Sequence, residues 1–461
     1  MDIQVLRKAA FVCLRCRTHK QRCDRNLPKC GRCASKLTRC QYPTFLAAGH
    51  SRSSDERADG PQRQYFTLEK RRIVSLGNLV PLVTELLLEK SLTTAQLIDN
   101  YSNRVHEWFP VVDLTQLRSD VTFLTSFEAL DSCTLFLMSA MLLPLTASQS
   151  ENDDQTRPMQ LYRTLKVMLS GGQFSLPEFS QCLVQMQALI ALYECMKGMY
   201  YQARLTLSSV TAMMDLKRTM RMERRISLQM CLNLVLLDRI LMLATVDHDV
   251  PTIISPSSAI CKAIQLYLDE SQAPNDPAMV ADPMHALYVM SKVVLVTGRV
   301  LHFVYCSNNA LRCEETYECL EFFMRDTTKS LIESKGSHSL VYCNAISLSL
   351  CCLVVLHQTR TSQESLPQGN RDLMALQTSR SLVWDTFKLS SEVLMTIDVY
   401  NVSFFSIFFQ LRGVYDAIQE GWLSQLSQED EKGLLKTLRQ LSKRWLISGE
   451  LNPSTKSYLA G

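Results

Sequence analysis

The sequence lacks the short motifs that bind nucleotides or build the common active sites. It contains no G-x-G-x-x-G, G-x-x-x-x-G-K-[ST], G-x-S-x-G or H-E-x-x-H, since His106-Glu107 has no second histidine at the required spacing. The eight histidines are dispersed along the chain. Catalysis needs several groups within reach of one another, and no such set is visible. We therefore predict that the protein is not an enzyme.

Segments apolar and long enough to cross a membrane are also scarce. The first residues, MDIQVLRKAAFVCLRC, contain no apolar core of a secretory signal. The most apolar stretch, residues 341–356, is shorter than a membrane span and contains Asn344, Ser347 and Ser349, so it predicts a buried helix. Without a secretory route the seventeen cysteines are expected in a reducing compartment, as metal ligands or core residues and not as disulfides. The sequence thus predicts no membrane partner.

Alternation of apolar and polar residues, the pattern of β-strands, is scarce as well, and no repeat of about 20–50 residues is visible. From about residue 68 onward, apolar residues recur every three or four positions, as in SLTTAQLIDNYSNRVHEWF and RRISLQMCLNLVLLDRILMLA. Breaks are expected near residues 144–158, 170–177, 251–283 and 365–372, where Pro, Gly and polar residues accumulate. The pattern predicts a large all-α domain over residues 68–461.

Charge is unevenly distributed. The chain of 461 residues has a net charge of +4. Residues 1–45 contain eleven Lys and Arg against two Asp, a net charge of +9, so the rest of the chain carries −5. The hydrophobic content of 46% is enough for a large core in that remainder. A basic segment on a mildly acidic body predicts a polyanionic partner for the segment alone.

Six cysteines of the basic segment repeat one spacing twice. The pattern Cys-x2-Cys-x6-Cys occurs at Cys13, Cys16 and Cys23 and again at Cys30, Cys33 and Cys40. A structural zinc takes four tetrahedral ligands, for which thiolates are well suited. Six sulfurs complete either one site with two left over, or two sites that share two bridging thiolates. The symmetric bridging pairs are Cys13 with Cys30, Cys16 with Cys33, or Cys23 with Cys40. The other eleven cysteines lie in apolar helical segments and are expected to pack in the core.

This segment resembles the zinc cluster of the fungal Zn2Cys6 transcription factors. The resemblance covers residues 9–45 and includes the six cysteines, Arg17, Lys20, the Cys23-Asp24 pair, Pro28 and Tyr42-Pro43. It implies a small zinc-stabilised module that holds two Zn²⁺ ions. It further implies that Cys13 and Cys30 bridge the two ions, that Cys16 and Cys23 complete one, and that Cys33 and Cys40 complete the other. A redox Cys-x2-Cys fits less well, because no βαβ pattern accompanies it, and RING or LIM modules have other ligand spacings.

Basic residues between the cysteines are the predicted DNA contacts. Residues 17–22 and 34–39 are expected to form short helices, one of which enters the major groove. By resemblance to the family, Lys20 donates to the guanines of a CGG-type triplet, as an ammonium group can at guanine O6 and N7. Phosphate contacts are predicted for Arg17, Arg22, Lys36 and Arg39. His19 stands where the family usually has Arg or Lys, and a neutral imidazole is expected to hold phosphate less firmly.

The segment after the module predicts a linker and then a helix. Residues 46–67 are rich in Ser, Gly, Arg and Asp, a composition typical of a flexible linker. Many relatives continue with a coiled coil through which they dimerise. Here Leu76, Leu79, Val83 and Leu86 fit its apolar positions, but Gly77 and Pro81 interrupt it and the repeat does not continue. We therefore predict an amphipathic helix of the body, and a homodimer is implied by the resemblance alone.

The helical body at 68–461 resembles the regulatory domain, or middle homology region, that often accompanies these zinc clusters. The resemblance rests on HEWFPVVD (106–113), ALYECMKGMYYQARLTLSSVTAMMDL (191–216) and LLDRILML (236–243). For Asp238 and Arg239 in the last segment, a buried ion pair and a regulatory role are alternatives.

Together the two resemblances imply a sequence-specific regulator of RNA polymerase II transcription in a fungal nucleus. Its partners would be double-stranded DNA with CGG-containing sites and the transcription machinery. Short members with this layout often control one biosynthetic gene cluster. The alternative function is a zinc-structured module that binds proteins and not DNA, which the density of basic residues between the cysteines disfavours.

Overall fold

Two units of the chain are distinguished in the computed structural model, Met1–Ile73 and Val74–Gly461. In the first unit the structure describes residues 12, 16, 21–26, 29–36 and 40. In the second it describes residues 76–122, 132–146, 156–170, 180–219, 227–244, 250–271, 283–333, 340–362, 370–396 and 403–418, and five positions between 427 and 436. The predicted linker at 46–67 lies outside these described residues.

Helices make up the second unit, and its described residues contain no strand. The first unit contains a helix of five residues, α1 (Gly31–Ser35). In the second unit the helices are α2 (Leu76–Glu89), α3 (Thr94–Tyr101), α4 (Leu114–Thr122), α5 (Ser132–Leu145), α6 (Thr156–Ser170), α7 (Ser180–Met196), α8 (Tyr200–Thr219), α9 (Leu228–Leu243), α10 (Ala259–Glu270), α11 (Pro283–Asn308), α12 (Tyr317–Glu333), α13 (Leu340–Thr361), α14 (Asn370–Thr396) and α15 (Phe404–Ile418). The predicted all-α body is confirmed over these described residues.

The helix ends show why the sequence folds this way locally. Before α3, the Thr93 hydroxyl accepts from the Gln96 backbone N–H at 3.2 Å, and the Gln96 side chain accepts from the Thr93 N–H at 2.8 Å. This is a capping box, which satisfies two N–H groups that the helix leaves unpaired. The helix α7 ends at Met196, and the turn after it contains Gly198, whose φ of 70° allows the Met199 N–H to reach the Glu194 carbonyl at 2.8 Å.

Helix α13 lies at the centre of the second unit. It packs against α11, α12, α14 and α15, and most of its side chains from Tyr342 to Leu356 are buried. A second layer forms where α7 packs against α5 and α8. The residues of α2 that fit a coiled coil, Leu79, Val83 and Leu86, are fully buried in the same core. The prediction that this helix belongs to the body is therefore confirmed.

Two helices are long and apolar enough to cross a membrane by length and composition alone, His285–Asn308 in α11 and Tyr342–Thr361 in α13. The segment in α13 extends beyond residues 341–356, the stretch for which the sequence predicted a buried helix. Its apolar window is 83% buried within the protein, and that of α11 is 56% buried. Core helices of soluble proteins meet the same criterion, and the packing of α13 on four other helices is that of a core helix.

Two expectations from the sequence are corrected. The stretch 251–283, in which a break was predicted, contains α10, whose N-cap Ser258 accepts from the Cys261 N–H at 3.2 Å. This helix buries only Ile260, Cys261 and Ile264, so its apolar pattern is too short to stand out among prolines. Of the eleven cysteines expected in the core, Cys319 and Cys343 are exposed.

Two buried acidic residues of the body, Asp238 and Glu194, each have several polar partners. Arg239 and Asp238 in α9 are fully buried and form an ion pair at 2.6 Å, and Asp238 also accepts from the Ile253 N–H at 2.8 Å. Glu194 in α7 is fully buried and accepts from Tyr162 at 2.8 Å and from Thr206 at 2.6 Å. The first pair matches the structural alternative for Asp238 and Arg239.

Candidate metal centre and nucleic-acid interface

The second half of the cysteine pattern is organised by α1. Cys30 is the N-cap of this helix, and its Sγ accepts from the Cys33 N–H at 3.4 Å. Because a helix places residues three apart on the same side, Cys30 and Cys33 converge. Cys40 returns to this pair, and its Sγ accepts from the Cys30 N–H at 3.4 Å. Backbone N–H groups that point at sulfur favour the thiolate form that binds metal.

The five described cysteines of the module form two groups of three. Cys16, Cys23 and Cys30 are one group, and Cys30, Cys33 and Cys40 are the other. Within each group the sulfurs lie within 4.8 Å of one another. Cys30 belongs to both groups, which is the position that a bridging thiolate must occupy. Cys13, predicted as the second bridging ligand, lies outside the described residues.

The arrangement fits zinc. The Sγ atoms of Cys16 and Cys30 are 3.8 Å apart, and two sulfurs on one tetrahedral zinc at about 2.3 Å each are about 3.8 Å apart. The buried hydrophobic residues described in this unit are Cys16, Cys30 and Cys33 themselves. A module of this size without an apolar core needs a metal to fold. Cys16 and Cys23 would hold one ion and Cys33 and Cys40 the other, with Cys30 shared.

Asp24 has a structural function that the cysteine spacing does not reveal. Its carboxylate accepts from the Gly31 N–H, at 2.9 Å for Oδ2 and 3.1 Å for Oδ1, and from the Asn26 backbone N–H at 3.3 Å. A carboxylate at the first N–H of α1 stabilises the helix start. Gly31 is required for this approach, since a Cβ there would lie 2.6 Å from Asp24 Oδ2. Asp24 thereby ties the first half of the module to the second.

The predicted helices of the module differ from the observed ones. The helix expected over 34–39 starts earlier, at Gly31, and includes Cys33, because Cys30 and Asp24 satisfy its first N–H groups. The helix expected over 17–22 does not reach Arg22, since residues 21–25 are not helical and the Gln21 N–H closes onto the Cys16 carbonyl at 2.8 Å. Ligand spacing predicts which cysteines come together, but not the points where these short helices begin and end.

The described basic residues of the module face solvent. Of the predicted DNA contacts, Arg22 and Lys36 are exposed, and Lys36 is the C-cap of α1. Arg17, His19, Lys20 and Arg39 lie outside the described residues. The sequence analysis assigned no role to three further exposed cations, Arg25, Lys29 and Arg32. The only signal for them was the excess of positive charge between the cysteines.

Comparison with known proteins agrees with this geometry. Residues 11–48 match the family model of the fungal Zn(2)-Cys(6) binuclear cluster domain. No curated protein and no solved structure matches the chain. The matched domain binds two zinc ions, and it is the DNA-binding module of a family of fungal transcription factors, not of an enzyme family. The predicted zinc cofactor and the predicted class of DNA-binding regulator are confirmed at this level.

Proposed function

We propose that the protein is a sequence-specific regulator of RNA polymerase II transcription that acts in the nucleus and reads CGG-type triplets through its zinc module. One observation carries the proposal: Cys30 is shared by two cysteine groups in a module whose described basic side chains are exposed. The shared thiolate is what a binuclear cluster requires. Exposed cations around it are the electrostatic footprint of a nucleic-acid-binding surface.

The six cysteines would divide as the family pattern implies. Cys13 would be the second bridging ligand beside Cys30, because that pair is the symmetric choice that includes the cysteine common to both groups. Lys20 would donate to guanine, and Arg17, Arg22, Lys36, Arg39 and the weaker donor His19 would contact phosphates. Arg25, Lys29 and Arg32 add positive charge to the same module and would strengthen binding without reading sequence.

The helical body over 68–461 would be the regulatory domain, joined to the module by the linker at 46–67. The three segments that resemble the middle homology region contribute to one core. Asn233 in α9 donates to the Pro110 carbonyl at 3.3 Å, and α9 packs against both α7 and α8. The body would contact the transcription machinery, and a homodimer and control of one biosynthetic gene cluster are extensions that rest on resemblance to the family.

The experiment is selection of sequences from random double-stranded DNA by the full-length protein loaded with zinc. We expect enrichment of sites that contain CGG, and loss of binding when a strong chelator removes the metal. Failure to enrich any sequence would favour the alternative, a zinc-structured module that binds proteins. A matched control with Lys329→Ala, an exposed lysine of α12 in the second unit, should enrich the same sites.

A further inference from the structure

A third group of metal-binding side chains lies in the body, between α11 and α12. His302 and Cys306 are on the last turns of α11, and Cys313 is in the connection that leads to α12. The His302 Nε2 and the Cys306 Sγ are 3.6 Å apart, and the ligand atoms of all three residues lie within 4.8 Å of one another. Cys306 is buried, whereas His302 and Cys313 are half-buried. The group is separate in sequence and in unit from the N-terminal cysteines.

The backbone brings these three residues together by a defined turn. His302 and Cys306 are four residues apart and therefore lie on one face of α11. The helix ends in a Schellman motif at Ala310, whose φ is 52°, with the Leu311 N–H donating to the Cys306 carbonyl at 2.8 Å. This turn reverses the chain direction and brings Cys313 back to the face of α11 that contains His302 and Cys306.

An ion pair also links this connection to α11. The Arg299 guanidinium, one turn before His302, binds the Glu315 carboxylate with both Nε and Nη2, at 2.5 Å and 2.7 Å. A bidentate pair of this kind fixes orientation as well as distance. Cys313 therefore lies two residues from an anchor that is itself attached to α11. The group is held in place by contacts that do not involve its own side chains.

The donor set indicates zinc. One imidazole nitrogen and two thiolates are soft or borderline ligands, which zinc accepts and which magnesium and calcium do not. A sulfur at about 2.3 Å and a nitrogen at about 2.0–2.1 Å from a tetrahedral zinc are about 3.6 Å apart, as His302 and Cys306 are.

We propose that His302, Cys306 and Cys313 bind one Zn²⁺ ion, in addition to the two of the N-terminal module. Three ligands from the chain leave the fourth tetrahedral position for water or for an exogenous ligand. Two thiolates balance the charge of the ion. The ion would join the end of α11 to the connection that precedes α12, and would stabilise the body by an amount that grows with the logarithm of its affinity.

The test is the zinc content of the full-length protein, measured by native mass spectrometry after dialysis against a weak chelator. We expect three zinc ions in the wild-type chain and two in Cys313→Ser, which removes a half-buried ligand and leaves the helices intact. Cys319→Ser is the matched control, because Cys319 is an exposed cysteine nearby that is not part of the group, and it should retain three. Cys30→Ser removes the ligand shared in the module and should retain the ion of the body.

Cobalt gives a second readout that depends on ligand chemistry. Co²⁺ in a tetrahedral site with thiolates absorbs strongly in the visible and near-ultraviolet range, so the wild-type spectrum minus that of Cys313→Ser should show these bands. His302→Ala should lower the stoichiometry by one in the same way. An equal metal content in wild type and Cys313→Ser would overturn the proposal. A Cys306–Cys313 disulfide, seen as a loss of two hydrogens in the isolated protein with that equal metal content, would instead assign the pair to redox chemistry.

Discussion

Arg239 occupies the space that a side chain at Gly298 would need. A Cβ at Gly298 would lie 2.3 Å from the Arg239 Nη2 and 2.9 Å from its Cζ. The guanidinium cannot move aside freely, because it pairs with Asp238 at 2.6 Å in a fully buried site. Because residue 298 of α11 is a glycine, the Arg239–Asp238 ion pair of α9 has room in the core.

We expect Gly298→Ala to lower the free energy of unfolding of the body by about 3 kcal/mol. The added methyl group must either displace Arg239 from Asp238 or push α11 away, and separating a buried ion pair typically costs about 3–5 kcal/mol. Chemical denaturation followed by circular dichroism measures the change. Gly433→Ala is the matched control: this helical glycine is exposed and has no atom within 4 Å of an added Cβ. The control should be neutral or stabilising by up to about 1 kcal/mol, and similar losses in both variants would contradict the explanation.

The relationship of Asp24 to Gly31 gives a prediction for the metal module. Gly31→Ala should push the Asp24 carboxylate away from the first N–H of α1, since the Cβ would approach Oδ2 to 2.6 Å. Loss of a helix N-terminal cap costs about 1 kcal/mol, and in a module that folds with its metal this appears as weaker zinc binding, by about fivefold. Competition with a chromophoric chelator measures the affinity. Ser35→Ala, in the same helix and exposed, should leave it unchanged.

The pairs Gly298–Arg239 and Gly31–Asp24 show what the sequence can and cannot predict. The cysteines of the module were identified because their ligand spacing is local. Gly298 and Arg239 are 59 positions apart, and nothing in either neighbourhood signals the other. The same holds for the group of His302, Cys306 and Cys313, whose members are brought together through the turn at Ala310, a residue in the left-handed conformation. Helix periodicity predicts which faces are buried, but not which polar groups meet inside.

The buried carboxylate of Glu194 is predicted to stabilise the packing of α6, α7 and α8. It accepts from Tyr162 in α6 and Thr206 in α8, and Lys166 lies 3.0 Å from it. Glu194→Ala should lower the free energy of unfolding by about 3 kcal/mol, because the hydroxyl groups and Lys166 lose their shared acceptor. Glu194→Gln, which keeps an acceptor and the shape, should lose less. Equal effects of the two variants in denaturant titrations would show that the acceptor network contributes nothing beyond volume.

The buried histidine of α13 predicts a dependence of stability on pH. His357 is buried, and its Nδ1 forms a hydrogen bond with the Ser379 Oγ at 3.2 Å. Burial lowers its pKa below the ordinary value near 6.5, although the carboxylates of Glu321 and Asp372 oppose this shift, and Arg325 adds to it. The native state therefore binds this proton less readily than the unfolded state. Stability should be highest above about pH 6.5 and should fall as the pH is lowered through that value.

Melting temperatures of wild type and His357→Gln between pH 7.5 and pH 5 measure this effect. The variant should lose less stability over that range than wild type does, whatever its stability at pH 7.5. Part of the slope should persist, because burial also lowers the pKa of His106. Superimposable slopes for the two proteins would exclude His357 as a source of the pH dependence.

Two lysines of the zinc module test the proposed distinction between residues that contact bases and residues that contact phosphates. Lys20 is proposed to donate to guanine, whereas Lys36, exposed at the C-cap of α1, is proposed to neutralise a phosphate. Lys20→Ala should weaken binding to a CGG-containing site by on the order of 1–3 kcal/mol and have much less effect on random DNA. Lys36→Ala should weaken both DNAs alike and reduce the salt dependence of binding by about one unit of slope.

Fluorescence anisotropy with both DNAs at several salt concentrations measures the two effects. The zinc content of each variant must equal that of wild type, since otherwise the loss of affinity reports on folding of the module. Lys29, a further exposed lysine of the module, supplies the matched variant Lys29→Ala, which should behave like Lys36→Ala. If Lys20→Ala weakens cognate and random DNA equally, Lys20 is a phosphate contact, and base reading belongs to another residue of the same segment. Arg17 and His19 are then the residues to replace next, because they lie with Lys20 between the same two cysteines.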